Sequence, residues 1–201
     1  MSVAIFGGTF DPVHRGHVEI ARAAANRFGL EQVLFIPSGH PPHKQDHPEA
    51  GYEHRFRMAA LACESDPRFR PSRLEAPHRG LSPHYSVDTI RRVADQLVSG
   101  EKLLFITGSD AFAELTLWYE WRKVAAAVEF IVVSRPGADF RPGEVPAEIN
   151  AHWLGGLALP ISSTEIRERL RSGANADELL PAAVAEYILR HGLYGQPRLE
   201  E

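Results

Sequence analysis

Short apolar runs alternate along this chain with stretches whose apolar residues recur every three or four positions. Runs of strand length and composition fall at residues 3–6, 33–36, 103–107 and 130–134. Helical patterns lie between them at 16–28, 53–65 and 87–98, with shorter ones at 111–117 and 120–127. Two further strands are expected at 73–76 and 153–159. Strand followed by helix, repeated, predicts right-handed crossovers and an α/β fold. Its doubly wound parallel sheet is covered on both faces. The last third turns helical: 163–171 carries Ile166 with Leu170, and 181–191 carries Val184 with Ile188, each pair at helical spacing. The pattern predicts a single domain over 1–201, with a small helical C-terminal part from about residue 161. Residues 37–51, rich in Pro and His, and residues 135–146, rich in Gly and Pro, read as loops.

Composition narrows the class without naming a function. The 201 residues are 44% hydrophobic and 24% charged, enough for a sizeable core. A net charge of −4 argues against broad electrostatic binding to nucleic acid or acidic membranes, so positive charge for any anionic ligand must be gathered locally. The single cysteine, Cys63, excludes an intramolecular disulfide and a cysteine-based zinc cluster. Nothing is long and apolar enough to span a bilayer, and the amino terminus runs into Gly7-Gly8 as a first strand instead of a signal peptide. A cytoplasmic protein is expected.

The first strand ends in Gly7-Gly-Thr-Phe-Asp-Pro-Val-His-Arg-Gly-His17. Two glycines let the backbone turn sharply and approach a ligand. A helix is expected to begin around residues 12–16 with Pro12 at its start. His14 and His17, three apart, should then share a face near that helix's amino end, where backbone N–H groups attract anions. A dinucleotide-binding oxidoreductase fits poorly. The third glycine of G-x-G-x-x-G is missing, and the second strand ends in Pro37-Ser38 instead of a ribose-binding acid.

The string from Gly8 to His17 resembles the signature of nucleotidyltransferases built on a Rossmann-like sheet. There the H-x-G-H histidines, here His14 and His17, contact ATP phosphates and stabilise the transition state. Near the other end, Ile161-Ser-Ser-Thr-Glu-Ile-Arg167 resembles the same family's I-S-S-T-x-I-R, which holds the β- and γ-phosphates. Its local chemistry is also that of a capping box, Ser162 with Glu165, stapled by Ile161 and Ile166. Ser163, Thr164 and Arg167 remain as candidate phosphate ligands.

The middle of the chain chooses among relatives. Pro41-Pro-His-Lys44 resembles the P-P-H-K loop of nicotinate-mononucleotide adenylyltransferases, and Arg55-Phe-Arg-Met58 resembles their R-x-x-M. Tyr85-Ser-Val-Asp-Thr89 resembles Y-T-x-D-T with Ser86 in place of a threonine, although Gly80-Leu-Ser-Pro-His84 departs from the usual shorter link. Gly108-Ser-Asp110 matches G-x-D, and Trp118-Tyr-Glu-Trp121 resembles the segment whose aromatic ring stacks on the pyridine. Arg135-Pro-Gly137 matches the part of the family near the adenine.

The resemblance implies adenylyl transfer from ATP to nicotinate mononucleotide, giving deamido-NAD and pyrophosphate in NAD biosynthesis, by direct attack of the mononucleotide phosphate. His14, His17, Lys44 and Arg167 form the implied catalytic set. ATP would also meet Gly7, Gly8, Thr9, Phe10, Gly108, Asp110, Arg135, Ser162, Ser163 and Thr164. The mononucleotide would meet Lys44, Arg55, Thr89, Trp118 and Tyr119. Magnesium is expected to arrive on the ATP phosphates, with no protein metal site. A homo-oligomer is allowed, and no nucleic acid or membrane partner is expected. Phosphopantetheine adenylyltransferase, which shares H-x-G-H, and a non-catalytic nucleotide-binding regulator are the alternatives.

Overall fold

The computed structural model describes residues 2–39, 48–77, 84–98, 100–134, 146, 148–156 and 161–197. Six parallel strands form one sheet: β1 (Ser2–Gly8), β2 (Gln32–Pro37), β3 (Phe69–Pro71), β4 (Lys102–Gly108), β5 (Glu129–Val133) and β6 (Ala151–Leu154). Their order is β3-β2-β1-β4-β5-β6, so the direction of winding reverses between β1 and β4. The helices are α1 (Arg15–Phe28), α2 (Tyr52–Cys63), α3 (Ser86–Ala94), α4 (Ser109–Ala113), α5 (Trp121–Ala127), α6 (Ser163–Arg171) and α7 (Ala182–His191).

Alternation along each strand divides the core. Ala4, Phe6, Val33, Phe35, Leu104, Ile106, Ile131 and Val133 face one side and meet α1, α2, α6 and α7. Val3, Ile5, Ile36, Leu103, Phe105, Phe130 and Val132 face the other and meet α3, α4 and α5. Both faces are buried, which is why the central strands read as continuous apolar runs. The helical C-terminal part lies on the same face as α1, with Ile166, Leu170, Val184 and Ile188 in that core. Cys63 is a packing residue there, and burial pushes its thiol up to about 12. Among the described residues no helix is long and apolar enough to cross a membrane.

Several expected boundaries move. Residues 73–76 form a turn, closed by the Ala76 N–H donating to the Arg73 carbonyl at 2.9 Å. The edge strand lies earlier, at β3, where only pairing with β2 (Val33 with Phe69, Phe35 with Pro71) makes three residues a strand. β6 begins at Ala151 and ends at Leu154, before Gly156 at φ 83. α3 stops at Ala94 because its end tightens, with the Gln96 N–H reaching the Val93 carbonyl. α1 begins at Arg15, capped by His14, so Pro12 lies in the turn before the helix instead of in its first turn.

Candidate active site

At the reversal of winding, β1 and β4 run side by side with Phe6 opposite Ile106, and Gly7-Gly8 and Gly108 leave the sheet together. A crevice at such carboxyl ends is the usual ligand position in doubly wound sheets. From Gly8 the chain turns through Thr9 and Phe10, whose φ of 50° lies in the left-handed region. A Cβ at Gly8 would sit 3.1 Å from the Phe10 ring, so the glycine lets that ring fold back under the turn. Phe10 was expected among the ATP contacts, but its side chain is 1% exposed and packs on Phe6, Phe35 and His17. An aromatic ring in this position supports His17 from below.

His14 and His17 stack with ring centroids 3.7 Å apart and 28° between planes. The His14 backbone N–H donates to Nδ1 of His17 at 3.2 Å. With its Nδ1 lone pair committed, a neutral His17 ring carries its proton on Nε2 and presents a donor there. Gly16 explains the glycine between the histidines. A Cβ on it would lie 2.9 Å from Nδ1 of His14 and 3.6 Å from Cβ of Ile161.

The element from the far end of the chain arrives at this turn. Ser163 Oγ donates to the Pro12 carbonyl at 3.0 Å, and Arg167 Nη1 donates to the Asp11 carbonyl at 2.8 Å. Ser162 caps α6 by accepting the Glu165 N–H at 3.1 Å. The reciprocal half of the expected box is replaced: the Glu165 carboxylate pairs with Arg169 at 2.8 Å. Thr164 is exposed at the helix end, with its Oγ1 3.4 Å from Arg167 Nη2. Arg167 Nε also holds Glu49 at 2.7 Å, and Arg171 binds the same carboxylate oxygen. The two guanidiniums, Arg171 foremost, keep Glu49 below the usual carboxylate range.

Beneath the turn lies a buried polar junction. The Asp11 carboxylate, 4% exposed, accepts the Glu49 N–H (2.8 Å), the Ala50 N–H (3.1 Å) and the Tyr194 hydroxyl (2.6 Å). Arg55, expected beside the mononucleotide, belongs to this junction. It is 2% exposed, with Nε donating to the Ala50 carbonyl at 3.1 Å and Nη1 to the Thr9 carbonyl at 2.8 Å. Its guanidinium braces the turn. Asp11 and Gly16 both stand within the recognised string, yet their roles depend on neighbours far along the chain or on how the turn folds back on itself.

At the other side of the crevice, Gly108 caps α4 and Asp110 is exposed in its first turn. Trp118 is half-buried, edge-to-face with Phe105 at 5.8 Å. Tyr119, 53% exposed, lies 4.4 Å from the ring of Tyr85, the residue that caps α3. Thr89 is 3% exposed, and its N–H donates to the Tyr85 carbonyl at 3.3 Å as the first rung of α3. The amides that helix geometry leaves unpaired at this end are those of Ser86 and Val87, just before it. Lys44 and Arg135 lie outside the described residues.

Among the described residues no three His, Cys, Asp or Glu side chains converge to hold a metal. The converging groups are imidazole, hydroxyl and guanidinium, a donor set suited to phosphate oxygens. Donors brought from both ends of a chain to the switch point of a doubly wound sheet are what a nucleotide-phosphate-binding protein of Rossmann-like fold requires.

A family model described as cytidylyltransferase-like matches residues 5–169. A probable nicotinate-nucleotide adenylyltransferase of Solibacter usitatus is 50% identical over 194 residues, covering 96% of this chain and all of that protein. One from Moorella thermoacetica is 42% identical over 206 residues, covering 98% and 93%. The chain belongs to the cytidylyltransferase-like family, among its nicotinate-nucleotide adenylyltransferases. Its fold is shared with the Plasmodium falciparum nicotinic acid mononucleotide adenylyltransferase solved with NaAD. That structure is 18% identical, with a TM-score of 0.79 and 98% of each chain covered.

Proposed function

We propose that this protein is an enzyme that transfers the adenylyl group of ATP to nicotinate mononucleotide, releasing pyrophosphate and forming nicotinate adenine dinucleotide. The observation that carries the reading is the meeting of the two phosphate elements. Ser163 and Arg167 are tied to the main chain of Pro12 and Asp11, two and three residues from His14.

The mononucleotide phosphate has a second pKa near ~6, so it is mostly a dianion at neutral pH and attacks without a general base. A bond forms between its oxygen and the α-phosphorus, and the bond from that phosphorus to the bridging oxygen of pyrophosphate breaks. The obstacle is repulsion between anions, and the enzyme's task is positioning and charge neutralisation. His17 Nε2–H and His14 serve the reacting phosphates. Arg167, Thr164, Ser163 and the amides after Ser162 serve the β- and γ-phosphates, and Gly7, Gly8 and Thr9 let the nucleotide approach the turn. Gly108 and Asp110 are assigned to the ribose, and Arg135 to the adenine side. Lys44 is assigned to the phosphates. Trp118 orients the pyridine, with Tyr119 and the first turn of α3 leading to Thr89 at its carboxylate. Magnesium bound to ATP supplies further neutralisation of the phosphates. The reaction belongs in the cytoplasm.

The test is pyrophosphate release from ATP and magnesium with nicotinate mononucleotide, nicotinamide mononucleotide or phosphopantetheine offered separately. Turnover confined to nicotinate mononucleotide is expected. Preference for phosphopantetheine would overturn the acceptor, and no release with any of them would leave a nucleotide-binding regulator.

A further inference from the structure

Glu75 is absent from every motif quoted above, yet it joins three parts of the pyridine side of the crevice. It sits in the turn at residues 73–76, and its Oε1 accepts the Thr89 hydroxyl at 2.8 Å. The same carboxylate accepts the backbone N–H of Gly39, two residues beyond the end of β2. Gly39 is built for this approach. A Cβ there would run into the Glu75 carbonyl oxygen and would lie 2.9 Å from Nδ1 of His84. Arg92 of α3 closes the junction from the side, with Nη1 donating to the Leu74 carbonyl at 3.0 Å. Burial raises the Glu75 carboxyl above its ordinary range, against the pull of Thr89, Gly39 and Arg92.

A carboxylate partly withdrawn from water and aimed at a hydroxyl and an amide costs desolvation, which its two donors offset only in part. What it holds is the first turn of α3. Thr89 is one helical turn from Tyr85, and the Tyr85 ring meets that of Tyr119. The two segments assigned to the pyridine carboxylate thus share one anchor.

We infer that Glu75 is a positioning residue for the mononucleotide, fixing the amino end of α3 against the end of β2 so that the amides there meet the pyridine carboxylate in register. This rests on the nicotinate reading above. Glu75 touches no substrate and acts through Thr89.

The experiment is steady-state kinetics of wild type, Glu75→Gln, Thr89→Val and the double variant, with thermal melts of each. Glutamine keeps the shape and an acceptor for Thr89 but turns an N–H donor towards one of the two groups that need an acceptor. Each single variant is expected to raise KM for nicotinate mononucleotide about five- to tenfold, the scale of one lost hydrogen bond. KM for ATP should stay within twofold. The double variant should be no worse than the poorer single, because both remove one tie. Equal rises in both KM values, an unchanged mononucleotide KM, or multiplicative effects in the double variant overturn the proposal. So does loss of folding in both single variants, which assigns the tie to folding alone. Wild-type turnover with nicotinate mononucleotide is the control. Its absence removes the acceptor reading and this proposal with it, whereas normal wild-type turnover beside an unaffected Glu75→Gln removes this proposal only.

Discussion

A glycine inside a helix is less favourable than alanine by about 0.8–1.0 kcal/mol, and Gly16 occupies the first turn of α1. Its return is steric: only hydrogen at that position leaves room for the His14 ring, which a Cβ would approach to 2.9 Å. Overpacking a buried ring typically costs about 1–3 kcal/mol, so Gly16→Ala is expected to leave thermal stability unchanged or lowered while kcat falls more than tenfold. A melt and a turnover assay on the same preparation check this, and unchanged turnover would show that the ring pair tolerates displacement. His17→Ala removes the donor whose tautomer is set by the His14 N–H. Loss of one transition-state donor costs roughly 10²–10³ in turnover. A loss below tenfold would take His17 out of the chemistry.

Among the elements, α6 joins local and distant forces most clearly. Ser162 satisfies an orphan N–H at the helix start, and its neighbour Ser163 ties that start to Pro12. Ser162→Ala should cost about 1 kcal/mol, which lowers Tm by about 2–4 °C for a domain of this size. KM for ATP should rise in the same variant, since a frayed first turn displaces Thr164 and Arg167. A normal KM beside a lowered Tm would confine the cap to stability. The reciprocal capping box was legible as four residue types, but Glu165 has a competing partner in Arg169 one turn on. Composition within a motif does not say which of two charge pairs forms.

Across the molecule, Asp11 binds the signature turn to residues 49 and 50 and to Tyr194, 183 positions away. Tyr194→Phe leaves a buried carboxylate with one donor fewer, a loss of about 1.5–3 kcal/mol for a bond to a charged group. Chemical denaturation reads it as a lower midpoint, and a change below about 0.5 kcal/mol would mean that water replaces the hydroxyl. Acid stability has a separate anchor. Asp66 is held by the Arg68 guanidinium at 2.7 Å, which lowers its carboxyl below the ordinary aspartate value despite burial. A depressed carboxyl contributes fully above its unfolded pKa of about 3.9 and loses that contribution as pH falls through the folded value. Asp66→Asn should then be less stable than wild type at pH 7, and the difference should shrink below about pH 4. A constant difference over that range would place the effect in hydrogen bonding alone.

The strand and helix periods, the Gly-rich turn, the paired histidines and the serine-rich helix start were all legible, because each is a statement about residues within a few positions of one another. From them came the doubly wound sheet, the α6 boundaries and the family. The edge strand β3 was not legible, since three residues become a strand only through pairing with β2. Nor were the burial of Arg55 and Phe10, the service of Asp11, or the reach of Glu75 to Thr89. In each case a side chain could serve either a ligand or the scaffold, and local sequence carries no term that separates the two. Packing decided their surroundings, by placing backbone carbonyls and aromatic rings around Arg55 and Phe10 and by bringing the two phosphate elements, some 150 residues apart, onto one turn.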